Sequence, residues 1–91
     1  MAFAQVIEAP GTTAEKYEEV LREIGISGAE LFPGHLVHFA GPVNGGFAIV
    51  NVWESKEAAD RAHAKVMPAR QKLGLPEARI TAEFPVYRLA K

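Results

Sequence analysis

A dense turn signal between two strongly β-forming segments limits the possible folds of this chain more than any other feature. The turn signal runs from Gly41 to Gly46 and combines three glycines with proline and asparagine. The segments 34–40 and 47–53 on either side are rich in β-branched and aromatic residues. Such a pattern is typical of an antiparallel β-hairpin. We therefore predict two paired strands, with residues 42–45 forming the turn and Gly41 lying opposite Gly46.

An amphipathic helix is predicted before the hairpin. Thr12 and Thr13 offer an N-cap, and Glu15 follows Thr12 by three residues, as in a capping box. Apolar side chains then recur at i, i+3, i+4 and i+7, which places them on one stripe, and Gly25 ends the helix. The stripe comprises Tyr17, Val20, Leu21 and Ile24.

A second helix is predicted after the hairpin, from a cap at Ser55 to about Leu73. Pro68 is expected to interrupt it with a kink near Met67, because proline lacks an amide donor and clashes with the preceding turn. Strands over 2–8 and 79–89 complete the chain, and Pro85 confines the last one to a sheet edge or a bulge.

The resulting order is βαββαβ. This order is typical of an α+β ferredoxin-like split βαβ domain, in which two helices cover one face of a four-stranded antiparallel sheet. The 91 residues are predicted to form a single domain, 1–91. Because so small a chain without cysteine buries a thin core, we expect a homodimer, with higher assemblies left open.

Charge and hydropathy exclude several classes of partner. The net charge is −1 and the charged residues are scattered, so no nucleic-acid partner is predicted. No apolar run approaches the roughly 20 residues of a membrane span, and residues 1–5 lack the pattern of a secretory signal. A cytoplasmic location is therefore expected.

The predicted register assigns side chains to the two faces of the sheet. An apolar set is predicted to lie under the helices: Val37, Phe39, Ala48, Val50 and Val52. The opposite face is larger, more aromatic and partly polar, so we expect it to be buried against a second copy, with a cavity between the two sheets. Its members are Leu36, His38, Ala40, Phe47, Ile49, Asn51 and Trp53.

Three short segments resemble a known family. They are GHLVHFAGP at 34–42, NVWES at 51–55 and VMPA at 66–69. These segments and the element order are similar to the small dimeric α/β-barrel proteins related to antibiotic biosynthesis monooxygenases. The resemblance implies a dimeric barrel of ferredoxin-like subunits. It also implies a wide range of activities, including cofactor-free oxygenases, haem-degrading enzymes, lyases and isomerases.

The haem-degrading branch of this superfamily is not favoured. In that branch, an asparagine on the first strand, a tryptophan in the second helix and a later iron-binding histidine are expected. This chain has Gln5 on the first strand, no tryptophan in the second helix and no histidine after His63. A metal site built from the histidines is also disfavoured, because His35 and His38 are three apart and would point to opposite faces of a regular strand. No cofactor and no metal are predicted.

Two polar residues of the mixed face are the candidate catalytic groups. His38 could act as a general base near neutral pH, or it could be a hydrogen-bonded interface residue. Asn51 could stabilise an oxyanion, orient His38 or bridge backbone groups. Trp53 is a candidate substrate platform or simply a core residue. His35 is predicted to be solvated, and His63 to pack at the helix edge. The proposed apolar wall of the substrate site is Leu36, Phe47, Ile49 and Trp53.

These features predict a cofactor-independent, monooxygenase-like enzyme that acts on a small aromatic or polyketide-like molecule. An isomerase or cyclase would use the same groups. The alternative of a different class is a non-catalytic dimeric ligand-binding or structural protein of the same fold.

Overall fold

The computed structural model describes residues 1–27 and 30–90. The elements are β1 (Phe3–Pro10), α1 (Ala14–Glu23), β2 (His35–Val43), β3 (Gly46–Trp53), α2 (Lys56–Lys72) and β4 (Arg79–Pro85). The strands form one antiparallel sheet in the order β2-β3-β1-β4, which confirms the α+β split βαβ class. β4 lies at an edge of this sheet, as its proline predicted. Neither helix in the described part of the chain is long and apolar enough to cross a membrane.

The two ends of α1 are fixed by local hydrogen bonds. Thr13, rather than Thr12, is the N-cap, and its hydroxyl accepts a bond from the Lys16 amide at 3.1 Å. At the other end Gly25 adopts a φ of +79°, in the left-handed region that favours glycine, and its amide donates to the carbonyl of Arg22. This left-handed glycine closes the helix in a Schellman arrangement. Because Thr13 is the N-cap, Thr12 does not cap the helix, and its side chain is buried.

The second helix runs through Pro68 as a single element, Lys56–Lys72, so Pro68 does not break it, and the kink near Met67 stays a prediction. Pro68 and Ala64, whose carbonyl loses its helical partner, are both exposed, so water can satisfy that carbonyl. The last turn is then closed by bonds from the Gly74 and Leu75 amides to carbonyls of the helix. The missing hydrogen bond is therefore tolerated at the surface.

The hairpin is longer than predicted. Val43 pairs with Gly46, so the turn consists only of Asn44 and Gly45, and the latter adopts a φ of +83°. The prediction of a four-residue turn was wrong because Pro42 can lie within β2, an edge strand where a missing amide donor is tolerated. The register differs by two residues, and a shift of two preserves the face on which each side chain lies. The predicted grouping of side chains therefore holds for the paired residues 37–53 of the hairpin, whereas Leu36 has no partner in the register.

The orientation of the two faces is the reverse of the prediction. The mixed aromatic face lies under the helices: Trp53 packs on Ala58, Ala59 and Ala62 of α2, and Phe47 stacks on Tyr17 of α1 with ring centroids 5.2 Å apart. The alanines of α2 leave room for a large indole ring. Most polar atoms of this face bond to one another, which reduces the penalty of burying them.

The apolar set faces away from both helices, and we call it the outer face. Its large side chains are open to solvent, with Phe39 59% exposed and Phe84 49% exposed. The strand register places smaller apolar residues between these two rings. They are Val6, Val37, Val50, Val52 and Ala82.

Candidate functional site

A cavity of about 280 Å³ lies between the helices and the sheet within one chain. We expected the mixed face to line a cavity between the sheets of two subunits, whereas here the helices of the same chain cover that face and close the cavity. Its floor includes Ile49, Ile7 and Ile80, which are adjacent in register across β3, β1 and β4. The helices close it from above with Tyr17, Val20, Leu21, Ala59, Ala62 and Val66. The lining is thus predominantly apolar, as in most small-molecule sites.

A hydrogen-bonded cluster centred on Asn51 forms the polar part of this wall. The Asn51 Oδ1 atom lies 2.7 Å from His35 Nε2 and 2.7 Å from His38 Nδ1. A carbonyl oxygen only accepts, so both of these ring nitrogens carry the proton they share with Asn51. One amide oxygen therefore accepts from two imidazole rings and fixes the orientation of both.

Tyr17 completes the cluster from the opposite side. Its hydroxyl lies 2.6 Å from His38 Nε2, the ring nitrogen that holds a lone pair when Nδ1 is protonated. The Tyr17 hydroxyl therefore donates to His38. Burial, together with the nearby carboxylate of Glu18, raises the pKa of Tyr17, so the phenol keeps its proton at neutral pH.

Tyr17 was missed as a site residue because it belongs to the apolar stripe of α1. It is the one member of that stripe with a polar tip, and a buried tyrosine hydroxyl usually has a hydrogen-bond partner. A polar tip on a buried stripe was the signal that could have identified it.

His35 lies in the cluster because β2 contains a bulge at Leu36. His35 pairs with Trp53 and Val37 pairs with Val52, so Leu36 has no opposing residue. The extra residue turns His35 onto the same face as His38. The prediction that His35 is solvated on the opposite face was therefore wrong. A strand with regular alternation separates residues three apart, but a bulged strand brings them together.

The environment of His35 keeps its ring neutral. It stacks on the indole of Trp53 with centroids 3.8 Å apart and an interplanar angle of 2°. Burial is the main cause that lowers its pKa, and the neighbouring His38 lowers it further, whereas the bond to Asn51 partly opposes this. Its Nδ1 atom is buried and has no partner among the described residues. A second proton on this ring would therefore be buried without an acceptor.

Trp53 is held as a core residue as well as a wall of the cavity. Its indole nitrogen donates to Gln5 Oε1 at 3.2 Å, and Gln5 in turn donates to Glu83 at 3.2 Å. Trp53 itself is only 3% exposed. The single donor of the indole is thus already used inside the fold.

Not all of the predicted site residues line the cavity. His38, Asn51, Ile49 and Trp53 all line the cavity. Phe47 is buried against Tyr17 and Leu36 is the bulge residue, and neither is among the lining residues. His63 lines the cavity from α2 while remaining exposed. The roles assigned to these side chains stay predictions.

Arg70 lines the cavity from the last turns of α2. Its Nη2 atom donates to Thr12 Oγ1 at 3.2 Å and to the Pro76 carbonyl at 2.8 Å. Burial lowers the pKa of this guanidinium from its usual value. Sequence reasoning did not single it out, because a lone arginine near the end of a helix is normally a solvated residue.

No group of three or more histidine, cysteine or acidic residues in the described ranges 1–27 and 30–90 is arranged to hold a metal ion.

Three solved structures share the architecture of this chain. The chain superposes on a proposed antibiotic biosynthesis monooxygenase from Chloroflexus aurantiacus with a TM-score of 0.64 and 16% identity, covering 100% of this chain and 98% of that one. For SnoaB, a cofactor-independent oxygenase from Streptomyces nogalater, the TM-score is 0.59 at 15% identity, with 97% and 94% covered. A proposed antibiotic biosynthesis monooxygenase from Deinococcus radiodurans gives 0.60 at 14% identity, with 100% and 97% covered.

These likenesses establish a ferredoxin-like α/β domain. The fold is that of the antibiotic biosynthesis monooxygenase-like proteins, as the three short segments of the sequence indicated. No protein-family model matches the sequence, and no curated protein matches it.

Proposed function

We propose that this chain is a cofactor-independent enzyme, monooxygenase-like in its chemistry, that acts on a small aromatic or polyketide-like molecule in the cavity of each subunit. The observation that carries the proposal is the hydrogen-bonded chain Tyr17–His38–Asn51 on the wall of an apolar cavity of about 280 Å³. The fold shared with SnoaB and the two other proteins supports it.

The proposed first step is removal of a proton from an acidic O–H or C–H of the substrate. Tyr17 Oη would accept this proton while its own proton passes to His38 Nε2, which lies 2.6 Å away. The imidazolium formed would be held by Asn51 Oδ1, the acceptor of its Nδ1 proton. This arrangement favours a substrate anion because the positive charge formed on His38 stays hydrogen-bonded.

The proposed second step is direct reaction of this anion with O₂. For an activated ring CH₂, O₂ forms a C–O bond to the carbanion, and the O–O bond then breaks. The carbon becomes C=O, and the second oxygen atom leaves as water. Four electrons pass from carbon to oxygen, so no external reductant is required. The apolar cavity excludes water that would protonate the anion first.

The second candidate, an isomerase or cyclase, would use the same proton transfer without O₂. The same cluster supports it, since nothing in the proton-transfer step depends on oxygen. A third candidate, a non-catalytic ligand-binding protein, would hold the same ligand without exchanging its protons.

The test uses dihydroxyanthrone, a three-ring phenol with an acidic ring CH₂. We expect quinone formation with matching O₂ uptake, above the spontaneous rate measured in buffer. We also expect His38→Gln and Tyr17→Phe to lower kcat by on the order of a hundredfold, the usual contribution of a positioned acid or base. Tyr87→Phe is the matched control, because Tyr87 is fully exposed and should leave the rate unchanged.

Anaerobic deuterium exchange separates the candidates. Exchange at the CH₂ in D₂O without O₂, but no quinone in air, would indicate an isomerase or cyclase. Tight binding with neither exchange nor turnover would contradict an enzyme of either kind.

We also propose that the chain forms a homodimer through the outer face. This surface is self-complementary in character, since two apolar sheets can pack face to face around a two-fold axis. Phe39 and Phe84 lie toward opposite edges of the sheet, so they would frame such an interface. The Glu8–Arg79 ion pair, 3.1 Å between Nη2 and Oε2, is at the end of the sheet near the hairpin turn.

Sedimentation equilibrium tests the dimer. We expect a dimer for the native chain and a monomer for Phe39→Glu, whereas Tyr87→Glu, which places the same charge off the sheet, should remain dimeric. A native chain that is monomeric at tens of micromolar, or a dimeric Phe39→Glu variant, would contradict the proposal.

A further inference from the structure

The cavity contains a second polar position, Arg70, which the proposed chemistry does not use. Arg70 is only 5% exposed and is among the residues that line the cavity. Its Nε atom is buried and has no hydrogen-bond partner within residues 1–27 and 30–90. A guanidinium carries five donors, and here two protein oxygens satisfy only part of that set.

The positive charge of Arg70 is also without a counter-charge in the described part of the chain. It takes part in none of the ion pairs formed there. The one carboxylate among the lining residues, Glu30, is exposed and accepts bonds from the amide and hydroxyl of Ser27. An arginine this deeply buried is rare unless it is paired, because removing a charge from water is costly.

Arg70 lies at a different level of the cavity from the His38–Asn51 cluster. Asn51 is paired with Gln5 near the start of β1, whereas Arg70 bonds Thr12, just beyond the end of that strand. The four steps along β1 from Gln5 to Ala9 correspond to about 13 Å of strand. Between these levels the floor is the apolar row of Ile49, Ile7 and Ile80.

We propose that Arg70 binds a carboxylate of the substrate, so that the natural ligand is an aromatic or polyketide-like carboxylic acid. The carboxylate accepts hydrogen bonds from the guanidinium at the Thr12 end, and the ring system lies over the isoleucine row. The reacting position is thereby presented to Tyr17 and His38. This inference rests on the proposed function, and it adds both the charge of the substrate and its direction in the cavity.

The test compares two probes of nearly the same shape, the anion naphthoate and its neutral amide, naphthamide. Binding to the native protein is measured by isothermal titration calorimetry. We expect naphthoate to bind on the order of tenfold to a hundredfold more tightly, the range for hydrogen bonds to a charged group. Equal affinities, or tighter binding of naphthamide, would overturn the inference.

Variants assign the preference to Arg70. Arg70→Gln is expected to abolish it, and Arg70→Lys to retain part of it, since lysine keeps the charge but lacks the planar fork. The matched control is Arg61→Gln, an exposed arginine on the same helix, which should leave the ratio of the two affinities unchanged. A preference that survives in Arg70→Gln, or that is lost equally in Arg61→Gln, would contradict the assignment.

A second variant addresses a purely structural role for Arg70, as a link between the Thr12 and Pro76 loops. Thr12→Val removes one of its acceptors and keeps the guanidinium, so the preference for naphthoate should persist even if the melting temperature falls. Loss of the preference in Thr12→Val would overturn the inference. Turnover of dihydroxyanthrone, which has no carboxylate, reports the proposed function separately. A native chain that turns it over but does not prefer naphthoate refutes this inference alone.

Discussion

The two faces of the sheet differ in a way that reverses the usual expectation. The outer face is almost entirely apolar, yet Phe39 and Phe84 remain about half exposed in the single chain. The opposite face, which lines the cavity and which we call the cavity face, contains two imidazoles and two carboxamides, yet it lies under both helices. Asn51 is 8% exposed and Gln5 is 7% exposed.

The difference shows that burial depends on whether polar groups can satisfy one another, not only on how many are present. Asn51 accepts from two histidines, and Gln5 both accepts from Trp53 and donates to Glu83. A network with partners for most of its members can be buried at little expense. An apolar face, by contrast, gains stability from any cover, including a second chain. The four predictions below test this contrast.

The largest effect is expected at the centre of the cavity face. Trp53→Ala would leave a large void beneath the alanines of α2 and should lower the free energy of unfolding by about 3–5 kcal/mol. Urea denaturation followed by circular dichroism measures this change. A loss below about 1 kcal/mol would show that the helices do not depend on this ring for their packing.

The second prediction removes the acceptor on which the polar network depends. Asn51→Leu would leave His35 Nε2 and His38 Nδ1 without their shared partner, at an expected loss of about 1–3 kcal/mol. Asn44→Leu, in the exposed hairpin turn, should change stability by less than about 0.5 kcal/mol. Equal losses in the two variants would argue that the network does not stabilise the buried face.

The third prediction concerns pH. Because the pKa of His35 is lowered in the folded state, the unfolded chain binds more protons in acid. Stability should therefore be full above about pH 6.5, the usual value for histidine, and should fall as the pH decreases toward the lowered value. The slope from this residue is at most about 1.4 kcal/mol per pH unit.

Urea denaturation across pH 5–8 measures this dependence, and His35→Gln should flatten it. His63→Gln is the matched control, because His63 is exposed, and it should preserve the slope. A profile that is unchanged in His35→Gln would place the responsible proton elsewhere.

The smallest effect is expected on the outer face. At concentrations low enough to favour single chains, Phe39→Ala should lower stability by no more than about 0.5 kcal/mol, because the ring is already 59% exposed. At high concentration the loss should increase, since a dimer interface would bury the ring. A loss that is independent of concentration would count against an interface at this face.

Local patterns predicted much of the fold. The stripe of α1, the glycine that ends it and the order of helices and strands along the chain all follow from short-range rules. The grouping of His38, Ile49, Asn51 and Trp53 on one face survived a two-residue error in register, because side-chain direction repeats every two residues.

The assignment of faces and the full cluster could not be predicted in this way. Which face receives the helices depends on hydrogen bonds between residues far apart in sequence, such as Tyr17 and His38. The place of His35 depends on one unpaired residue in β2, and Arg70 gains its significance only from the loops that bury it. Each of these is a property of the assembled tertiary structure.

The bulge at Leu36 should respond differently to a substitution and to a deletion. What Leu36 contributes is one extra residue in β2 that has no counterpart in β3. Many side chains could fill this role, because it depends on the backbone and not on the identity of the residue. Substitutions at Leu36 should therefore be tolerated. Deleting it would restore regular alternation and turn His35 away from Asn51 and Trp53. In a lineage of such proteins, the length of this strand would then be a better guide to an intact cavity than the identity of its residues.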